Sequence, residues 1–354
     1  FPYTTLFRSI VVMEDFTVRG TKMMHRYDIL AQKYGAEVRY IQVQKDIKDG
    51  DAFAKMFLEM EKNGPDVLEE ESELLEAVKD ADILISHISA VSTAAVNAAE
   101  NLEAVCIMRS GVENINLTSA SQKGVQVINA PGRLAVPVSE FTVGLMIAEM
   151  KNIARSHQRM QRGDFDNQFV NADYSVNLKG KNVGLIGCGA VGSRVAKIMK
   201  AFEANVLVYD PYMEDAKIVE AGYQPAELNE LCQKADVISI HYRLTPETEG
   251  LVGAEQFALM KPTCFLINTA RAGLVDEASL MDALQNHKIG GVGLDVFHQE
   301  PLPEDHPLLT LDNVTITNHL AGHCSNIFDM TMDIMLGTLE HYFETGEWKN
   351  VVNR

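Results

Sequence analysis

Cysteine is scarce in this sequence, and the few cysteines present are not grouped. They are well separated along the chain, and most lie in apolar runs, where a free thiol packs like a small hydrophobic side chain. The five are Cys106, Cys188, Cys232, Cys264 and Cys324. The cysteines do not form closely spaced pairs, so the sequence indicates neither a disulfide framework nor a zinc site. His323 and Cys324 lie near His319, but the spacing of these three residues matches no common zinc arrangement. We therefore expect neither disulfides nor a metal.

Basic residues and long apolar runs are also in short supply. The chain has 31 Lys and Arg against 49 Asp and Glu, which gives a formal net charge of −18. Such a surface repels nucleic-acid phosphates and anionic lipid, so we expect neither as a partner, although the charge can equally serve solubility alone. No apolar run reaches the roughly 20 residues that span a bilayer, and no secretory signal pattern opens the chain. A cytoplasmic location is expected.

The length of 354 residues favours two domains. The first residues are set apart, because Thr4–Ser9 resembles translated sequencing-adapter sequence and Phe1 is not methionine. We expect residues 1–9 to lie outside the fold and begin at Ile10.

Strand-like and helix-like segments alternate in the first half of the chain. Short apolar or alternating runs predict strands at Ile10–Met13, Val38–Val43, Ile83–Ser86 and Val105–Met108. Helical spacing predicts helices at Lys22–Tyr34, Glu69–Lys79 and Val138–Gln161, the last as one long helix. This alternation predicts an α/β fold with a parallel sheet.

The same alternation starts again after Gly180. Six apolar strand candidates follow, and helical segments separate most of them, which fits a doubly wound sheet. They are Val183–Ile186, Val206–Tyr209, Val237–Ile240, Cys264–Ile267, Gly291–Leu294 and Val314–Ile316. A final helical stretch at Asn326–Phe343 lies beyond the sixth strand, so it can cross back to the first domain.

Gly187-Cys-Gly-Ala-Val-Gly192 is a G-x-G-x-x-G motif between a predicted strand and a predicted helix. In that setting Gly187 permits the tight turn, Gly189 lets a pyrophosphate approach the backbone, and Gly192 lets helix and strand pack closely. The free N–H groups at the start of the helix favour the pyrophosphate charge. The mononucleotide motif G-x-x-x-x-G-K-[ST] is absent. The motif predicts a dinucleotide site.

Asp210 ends the next predicted strand. A carboxylate there accepts hydrogen bonds from the adenosine ribose hydroxyls and repels a 2′-phosphate, which favours NAD over NADP. The alternative is a turn or capping aspartate ahead of Pro211.

Hydride transfer to a 2-keto acid needs a cation for the carboxylate and carbonyl, an acid for the new alkoxide, and a partner for that acid. Arg271, His319 and Glu300 supply these three residue types at the ends of later strands. The carboxyl ends of parallel strands line one crevice, so the three residues can converge. Each residue alone also has an ordinary alternative role. Arg271 can be a surface cap, His319 a loop histidine with its hydrogen bonds satisfied, and Glu300 a turn carboxylate before Pro301.

Together these segments resemble the D-isomer-specific 2-hydroxy acid dehydrogenase family. The resemblance runs from about Met108 to Ser325, and residues 10–100 match only in general pattern. It is strongest in Arg109–Ile115, Asn129–Gly132 with Val138–Glu140, Gly187–Gly192, Asn268–Asp276, and Asp295–Pro301 with His319–Gly322.

The resemblance implies two Rossmann-like doubly wound parallel-sheet domains. A discontinuous, flavodoxin-like substrate domain would take residues 10–150, with 323–354 returning to it as a C-terminal helix. The NAD-binding domain would take residues 151–322. A homodimer is also implied, with the long helix at Val138–Gln161 as the contact element.

The resemblance also implies roles for individual residues. Arg271 binds the substrate carboxylate and carbonyl, His319 is the general acid and base, and Glu300 hydrogen-bonds His319 and favours its protonated form. Asp295 lies near the nicotinamide, and Ser110 and Gly111 hold the carboxylate through backbone N–H groups. Further cofactor contacts are expected from Thr142, Ala190, Val191, His241, Tyr242, Arg243, Thr248, Thr269, Ala270 and Gly322.

Some positions depart from the family pattern. Arg243 stands where the family usually has proline, Asn318 where it usually has proline before the histidine, and His323 and Cys324 where it usually has a small residue and threonine. Arg109, Arg133 and Arg243 can add positive charge around the site, so Arg133 is also expected to bind substrate, as a second anionic or polyhydroxyl group would need. The alternative is that Arg133 is solvated and Arg243 pairs with an acidic neighbour.

The expected reaction is therefore the NAD(H)-dependent interconversion of a D-2-hydroxy acid and its 2-keto acid. Two alternatives stay open. One is a 3-phosphoglycerate dehydrogenase, and the other is a non-enzymatic module that senses NAD, because the same family fold also serves as a transcriptional co-repressor.

Overall fold

The computed structural model describes residues 8–19, 21–69 and 71–353, and they form two compact units. The first unit consists of the chain up to Arg133 together with the segment from Ser325 onward, and the second of Leu134–Cys324. The chain therefore passes from one unit to the next after Arg133, earlier than the expected boundary at residue 150. The reason is that the helix at Ala135–Met150 packs against strands of the second unit.

The first unit contains a five-stranded sheet in which every strand pair is parallel. Its strands are β1 (Ser9–Glu14), β2 (Glu37–Gln42), β3 (Ile83–Ser86), β4 (Ala104–Ile107) and β5 (Gln126–Asn129). Their order is β2-β1-β3-β4-β5, the flavodoxin-like order, with its switch point between β1 and β3. The four predicted strands are present, and β5 was not predicted.

The second unit contains a seven-stranded sheet, again with parallel pairs throughout. Its strands are β6 (Asn182–Ile186), β7 (Asn205–Tyr209), β8 (Gln224–Pro225), β9 (Val237–Ile240), β10 (Phe265–Asn268), β11 (Gly291–Leu294) and β12 (Val314–Ile316). The order β8-β7-β6-β9-β10-β11-β12 is doubly wound, with the switch point between β6 and β9. All six predicted strands are present, and the short edge strand β8 is additional.

Helices connect the strands on both sides of each sheet. In chain order they are α1 (Asp28–Tyr34), α2 (Gly50–Asn63), α3 (Ser72–Ala77), α4 (Thr93–Ala98), α5 (Leu117–Lys123), α6 (Ala135–Met150), α7 (Ile153–Gln161), α8 (Ala190–Ala201), α9 (Asp215–Glu220), α10 (Leu228–Lys234), α11 (Ala254–Leu259), α12 (Glu277–Gln285) and α13 (Ile327–Thr345).

Alternate residues along the strands of the first unit pack into two hydrophobic cores, one on each face of the sheet. Ile10 and Val12 of β1 belong to the core that also holds Met335 and Leu339 of α13, whereas Val11 belongs to the core on the other face. This is the period-2 pattern of strands that are buried on both faces. The C-terminal helix thus belongs to the first unit, as the sequence indicated it could.

The predicted long helix at Val138–Gln161 is wrong in one respect, because the chain breaks it into α6 and α7. Asn152 takes a left-handed conformation with a φ of 55°. Arg155 donates to the Asn152 side chain at 2.9 Å and pairs with the fully buried Glu149 at 2.8 Å. Glu149 in turn accepts a 2.6 Å hydrogen bond from Thr315 of β12. This buried network holds the break, since asparagine tolerates the left-handed region.

The expectation that residues 1–9 lie outside the fold is corrected for Arg8 and Ser9. Ser9 begins β1 opposite Glu37, and Arg8 donates a 2.9 Å hydrogen bond to Tyr342. Residues 1–7 fall outside the described part of the chain. Within the described part, no helix has the length and apolar character needed to cross a membrane.

Candidate active site

The glycine motif forms the turn between β6 and α8 at the switch point of the second sheet. Gly187 has a φ of 94°, and a Cβ there would meet the His241 backbone at 2.9 Å. A Cβ on Gly192 would overlap the Gly187 carbonyl oxygen, so helix and turn are in direct backbone contact. A Cβ on Gly189 would meet nothing within 4 Å. Gly187 and Gly192 are therefore needed by the protein itself, while Gly189 leaves open space at the start of α8.

Ala190 and Val191 form the first turn of α8 behind this space. The first N–H groups of a helix have no partner within the helix, and they carry the positive end of its dipole. This is the arrangement that binds a phosphate or pyrophosphate.

Asp210 follows β7 and closes the side of the same turn. One carboxylate oxygen accepts the Cys188 N–H at 2.8 Å, and the other accepts the Tyr212 N–H at 3.0 Å. These bonds fix the carboxylate beside the glycine motif and leave lone pairs free, because a carboxylate accepts about four hydrogen bonds. The turn-aspartate alternative is therefore partly realised, and it is compatible with a ribose contact.

The segment after β9 packs against Gly187. His241 shares a 2.9 Å hydrogen bond with Ser239, and desolvation of the imidazole lowers the pKa of His241 to about 4, so the ring is neutral. The Tyr242 ring lies 6.1 Å from the ring of Tyr212, and burial, followed by the nearby Tyr212 and Asp210, raises the pKa of Tyr242 to about 12.

Thr248 shapes the rest of this segment. Its hydroxyl donates to the Arg243 carbonyl at 2.8 Å and accepts from the Thr245 N–H at 2.7 Å. Arg243 itself is exposed, and within the described chain it forms no ion pair. The proposed pairing of Arg243 with an acidic neighbour is thus not seen.

Arg271 stands in the loop after β10. The buried Asn268 holds this loop, because its side chain donates to the Arg271 carbonyl at 2.9 Å and accepts from the Ala270 N–H at 3.0 Å. The Arg271 guanidinium donates to the Ala270 carbonyl at 2.7 Å and is otherwise exposed. The loop therefore presents a cation whose remaining donors face outward.

Thr142 of α6 reaches the same loop. Its hydroxyl lies 2.6 Å from that of Thr269, and both residues are buried. The structure thus brings together two residues that the sequence placed near the cofactor.

His319 and Glu300 form a pair at the end of β12. The His319 Nδ1 atom lies 2.8 Å from a Glu300 carboxylate oxygen, and the side chains are 50% and 37% exposed. Burial alone would raise the pKa of Glu300, but the His319 hydrogen bond, the Phe297 N–H and the positive charge of Arg271 hold it below its ordinary value. Glu300 is therefore a carboxylate that fixes one imidazole nitrogen and leaves Nε2 for another partner.

Asp295 supports the loop that carries His319. Its carboxylate is fully buried and accepts from the Thr317 hydroxyl at 2.6 Å and from the Leu320 and Ala321 N–H groups at 2.8 Å each. His319 has a φ of 58°, a left-handed conformation that residues other than glycine adopt infrequently. The Asp295 bonds hold that conformation, and such strain often marks functional sites.

A cavity of about 810 Å³ opens beside the pair. It is lined by Phe297, Glu300, Pro301, Leu302, Leu309, Ile316, Thr317, Asn318 and His319. Apolar walls with a few polar groups are typical of a site for a small organic molecule.

Ser110, Gly111 and Arg133 belong to the first unit. Ser110 and Gly111 form the turn after β4, and Arg133 follows β5, so all three lie at the carboxyl edge of that sheet. The Glu113 carboxylate lies against the Cα of Gly111. Among the described residues, no group of His, Cys, Asp and Glu side chains is arranged to hold a metal ion.

The second unit matches a family model described as "D-isomer specific 2-hydroxyacid dehydrogenase, NAD binding domain" over residues 143–321. The chain belongs to this family. The matched segment includes the glycine motif, Asp210, Arg271, Glu300 and His319, so the dehydrogenase fold predicted from the sequence is confirmed, and the second unit is an NAD-binding domain.

Individual relatives support the same assignment. The chain is 41% identical to the D-3-phosphoglycerate dehydrogenase of Methanocaldococcus jannaschii over 79% of this chain and 53% of that protein. It is 37% identical to the glyoxylate reductase of Thermofilum pendens over 71% of this chain and 75% of that protein. The chain thus spans about half the length of the phosphoglycerate dehydrogenases that it matches.

Solved structures show the same fold. The NAD complex of the D-isomer specific 2-hydroxyacid dehydrogenase from Lactobacillus delbrueckii ssp. bulgaricus superposes with a TM-score of 0.73 at 23% identity, over 97% of this chain and 99% of that one.

The sequence did not reveal how two residues position the loops of this site. Asn268 was recognised only as part of a motif, although it fixes the Arg271 loop. Asp295 was predicted to lie near the nicotinamide, which stays a prediction, but its three hydrogen bonds to the His319 loop were not predicted. A polar residue at the end of a buried strand was the available signal, because such a residue usually bonds neighbouring backbone.

Proposed function

We propose that this protein is an NAD(H)-dependent oxidoreductase that interconverts a D-2-hydroxy acid and its 2-keto acid. The observation that carries the proposal is the 2.8 Å pair of His319 and Glu300, which shares one sheet edge with the glycine motif and Arg271. A cation, a proton carrier and a dinucleotide turn at one edge are what this reaction requires.

The second unit fits the cofactor. The open space at Gly189 and the free N–H groups of α8 suit the pyrophosphate, and Asp210 suits the ribose hydroxyls and disfavours a 2′-phosphate. When bound, NAD supplies the acceptor or donor of hydride. The other expected cofactor contacts, including His241, Tyr242 and Gly322, remain part of this proposal.

Arg271 is proposed to bind the substrate carboxylate and to polarise the carbonyl. Its planar fork can grip a carboxylate with two parallel hydrogen bonds, and only one of its N–H groups is used within the loop. His319 is proposed to carry the proton at Nε2, to donate it to the alkoxide during reduction and to remove it during oxidation. Glu300 holds Nδ1 and stabilises the positive charge of the imidazolium form.

The first unit is proposed to be the substrate domain. The backbone N–H groups of Ser110 and Gly111 would bind the substrate carboxylate. The family supplies this assignment, and the placement of both residues at the carboxyl edge of a parallel sheet is consistent with it.

A panel assay tests the proposal. Purified protein and NADH are mixed with each keto acid in turn, and NADH oxidation is followed by its absorbance. The panel consists of glyoxylate, hydroxypyruvate, phosphohydroxypyruvate, aromatic pyruvates and sugar-derived keto acids. Turnover of at least one is expected. In the Arg271→Gln variant kcat/KM should fall by about 10² or more, since a charge-assisted bidentate contact is lost. The control is Lys200→Gln, which removes an exposed positive charge of the same unit.

Two alternatives are decided by the same panel. Preference for phosphohydroxypyruvate would identify a 3-phosphoglycerate dehydrogenase, a reading favoured by the 41% identity to a protein of that name. Tight NADH binding with no turnover on the whole panel would instead identify a non-enzymatic NAD-sensing module. Activity of Arg271→Gln within a few-fold of the wild type would contradict the mechanism.

A homodimer is also proposed. Helix α7 and the segment after it expose large apolar side chains: Ile153, Met160, Phe165 and Val170 are 52%, 51%, 86% and 46% exposed. Apolar groups spaced along one segment suit a contact with a second copy of the chain. In light scattering the wild type should have twice the chain mass, and Phe165→Asp should shift it toward the monomer.

A cytoplasmic location is proposed as well. All five cysteines are free thiols, which suits a reducing compartment. Fractionation of source cells checks this, and recovery of the protein outside the cytoplasm would contradict it.

A further inference from the structure

Helix α6 contacts three neighbouring strands of the second sheet through one of its faces. Thr142, Leu145 and Glu149 are three and four residues apart, so their side chains lie on the same face. The Leu145 side chain packs on β11, where a Cβ on Gly293 would meet it at 3.0 Å. Glu149 accepts the 2.6 Å hydrogen bond from Thr315 of β12. These two contacts fix α6 against the sheet, and Thr142 is held in place with the helix.

The hydrogen bond between the hydroxyls of Thr142 and Thr269 has a defined direction. The Thr142 hydroxyl donates to the Val138 carbonyl at 2.7 Å, one turn earlier in α6. A hydroxyl has one hydrogen, so Thr142 can only accept in its 2.6 Å contact with Thr269. Thr269 is therefore the donor. Because this bond uses its hydrogen and not its lone pairs, the cofactor contact expected for Thr269 is compatible with the bond.

This bond ties α6 to the loop that carries Arg271. Thr269 directly follows β10 and precedes Arg271 by two residues. The two side-chain hydrogen bonds of Asn268 lie within the loop and fold it around the Arg271 carbonyl. The Thr269 hydroxyl instead reaches a helix that the sheet holds in place. The start of the loop is therefore fixed relative to the sheet by the Thr142 oxygen.

Thr142 has no exposed surface. Its hydroxyl could therefore touch a cofactor, as the family resemblance implies, only after α6 had moved. The partner of a buried hydrogen bond is also costly to remove, because the remaining donor is then left unsatisfied. Without the Thr142 oxygen, the Thr269 hydroxyl would have to turn toward another acceptor, and the loop would shift with it.

We propose that Thr142 is a positioning residue for the reaction, acting through Thr269 on Arg271, and is not a ligand of the cofactor. The helix provides a fixed acceptor, the Thr269 hydroxyl bonds to it, and the loop then presents the Arg271 guanidinium to the substrate carboxylate. This inference rests on the proposed function, in which Arg271 binds that carboxylate, and it deepens that function by naming what holds Arg271.

Substitutions that keep the shape of the side chain test this role. Thr142→Val removes the acceptor, Thr142→Ser keeps a hydroxyl, and Thr269→Val removes the donor. The control is Thr331→Val in α13, because Thr331 is also fully buried and donates to the carbonyl four residues earlier, that of Ile327, at 2.8 Å. The measurements are kcat and KM for the best keto acid of the panel at saturating NADH, and the Kd for NADH by fluorescence titration.

Thr142→Val should lower kcat/KM for the keto acid by about 5- to 20-fold, because the Arg271 loop loses its anchor. The Kd for NADH should change by less than about twofold, and Thr142→Ser should recover most of the lost activity. The control Thr331→Val should stay within about twofold of the wild type in kcat/KM. The double variant with Thr269→Val should lose no more than the worse single variant, since both changes remove the same bond.

A second comparison separates positioning from a general effect on folding. In an Arg271→Gln background, Thr142→Val should cause no further fall in kcat/KM, because the side chain that it positions is already gone. A general loss of folding would lower kcat/KM in both backgrounds. A raised Kd for NADH with an unchanged KM for the keto acid would identify Thr142 as a cofactor ligand and overturn the inference. Losses that multiply in the double variant, or no loss in Thr142→Val, would also overturn it.

Hydrogen exchange distinguishes a failure of this inference from a failure of the proposed function. If the wild type turns over no keto acid, the proposed function fails, and the anchor is judged by the exchange of backbone amides in residues 268–276 of the full chain. Thr142→Val should raise the exchange rate there by about fivefold or more, and Thr331→Val should leave it unchanged. Unchanged exchange in Thr142→Val would overturn the inference even in an active enzyme.

Discussion

Alanine at Gly192 and alanine at Gly189 should have opposite effects, although the two glycines are in the same turn. At Gly192 the added Cβ would overlap the carbonyl oxygen of Gly187, and backbone atoms on both sides cannot move without shifting helix α8 or strand β6. Overpacking of this kind costs about 1–3 kcal/mol. For a unit of this size that corresponds to a fall in Tm of roughly 2–12 °C.

At Gly189 the added Cβ would meet nothing within 4 Å, and the backbone has a φ of −70°, which alanine adopts freely. The Gly189→Ala variant should therefore keep its Tm within about 2 °C of the wild type in the absence of cofactor, or rise slightly, because alanine restricts the unfolded chain. The same methyl group occupies the space proposed for the pyrophosphate, so the Kd for NADH should rise at least about 10-fold.

The assay combines thermal unfolding without ligand and a fluorescence titration with NADH, on both variants and the wild type. Normal NADH affinity in Gly189→Ala would refute the placement of the pyrophosphate. An unchanged Tm in Gly192→Ala would refute the backbone contact between α8 and the turn.

Three further predictions concern the cofactor specificity of Asp210, the buried imidazole of His241, and the break between α6 and α7. Asp210→Asn should weaken NADH binding by about 10-fold and bring the affinity for NADPH closer to that for NADH. The reason is that the carboxylate accepts hydrogen bonds from the ribose hydroxyls and repels a 2′-phosphate. An equal loss of affinity for both cofactors would contradict this. Because the pKa of His241 is lowered to about 4, the unfolded chain binds one more proton than the folded chain between about pH 4 and pH 6.5. The free energy of unfolding should therefore fall by about 1.4 kcal/mol for each pH unit as the pH drops through this range. The slope of the free energy of unfolding against pH should be smaller in His241→Asn. Arg155→Met removes the ion-pair partner of the buried Glu149 and should lower the free energy of unfolding, measured with denaturant, by about 3–5 kcal/mol. Adding Glu149→Gln should restore part of that free energy. A loss below about 1 kcal/mol would show that the ion pair does not hold the break between α6 and α7.

Much of the fold could be predicted because the buried strands are short apolar runs. Strands such as β6 and β9 are covered on both faces, so nearly every residue is apolar and the run stands out. Strand β8 could not be found this way, since it is two residues long and contains Pro225 at a sheet edge. Strand β5 was hidden by the exposed Gln126 at its start.

Helix predictions failed where side chains bond across the structure. The long helix was expected to continue through Asn152, because apolar spacing continues on both sides. The break depends on Glu149, Arg155 and Thr315, which are distant in sequence or unremarkable in pattern. Helix α2 was not predicted, since only Met60 of its residues is buried and the apolar signal is weak.

The candidate site was easier to predict than its supports. Arg271, Glu300 and His319 could be named because parallel strands gather their carboxyl ends at one edge. The roles of Asn268 and Asp295 could not, because they depend on hydrogen bonds from side chains to loop backbone that no periodic pattern encodes.

The most direct test of the central claim is the single-turnover rate of NADH oxidation by a keto acid in the His319→Gln variant, at saturating NADH. We expect a fall of about 10²–10⁴ relative to the wild type, since the proton carrier is lost, with an unchanged Kd for NADH. The control His287→Asn, at an exposed position of the same unit, should have a normal rate. A rate within a few-fold of the wild type, at equal NADH occupancy, would contradict the proposal that His319 is the general acid and base.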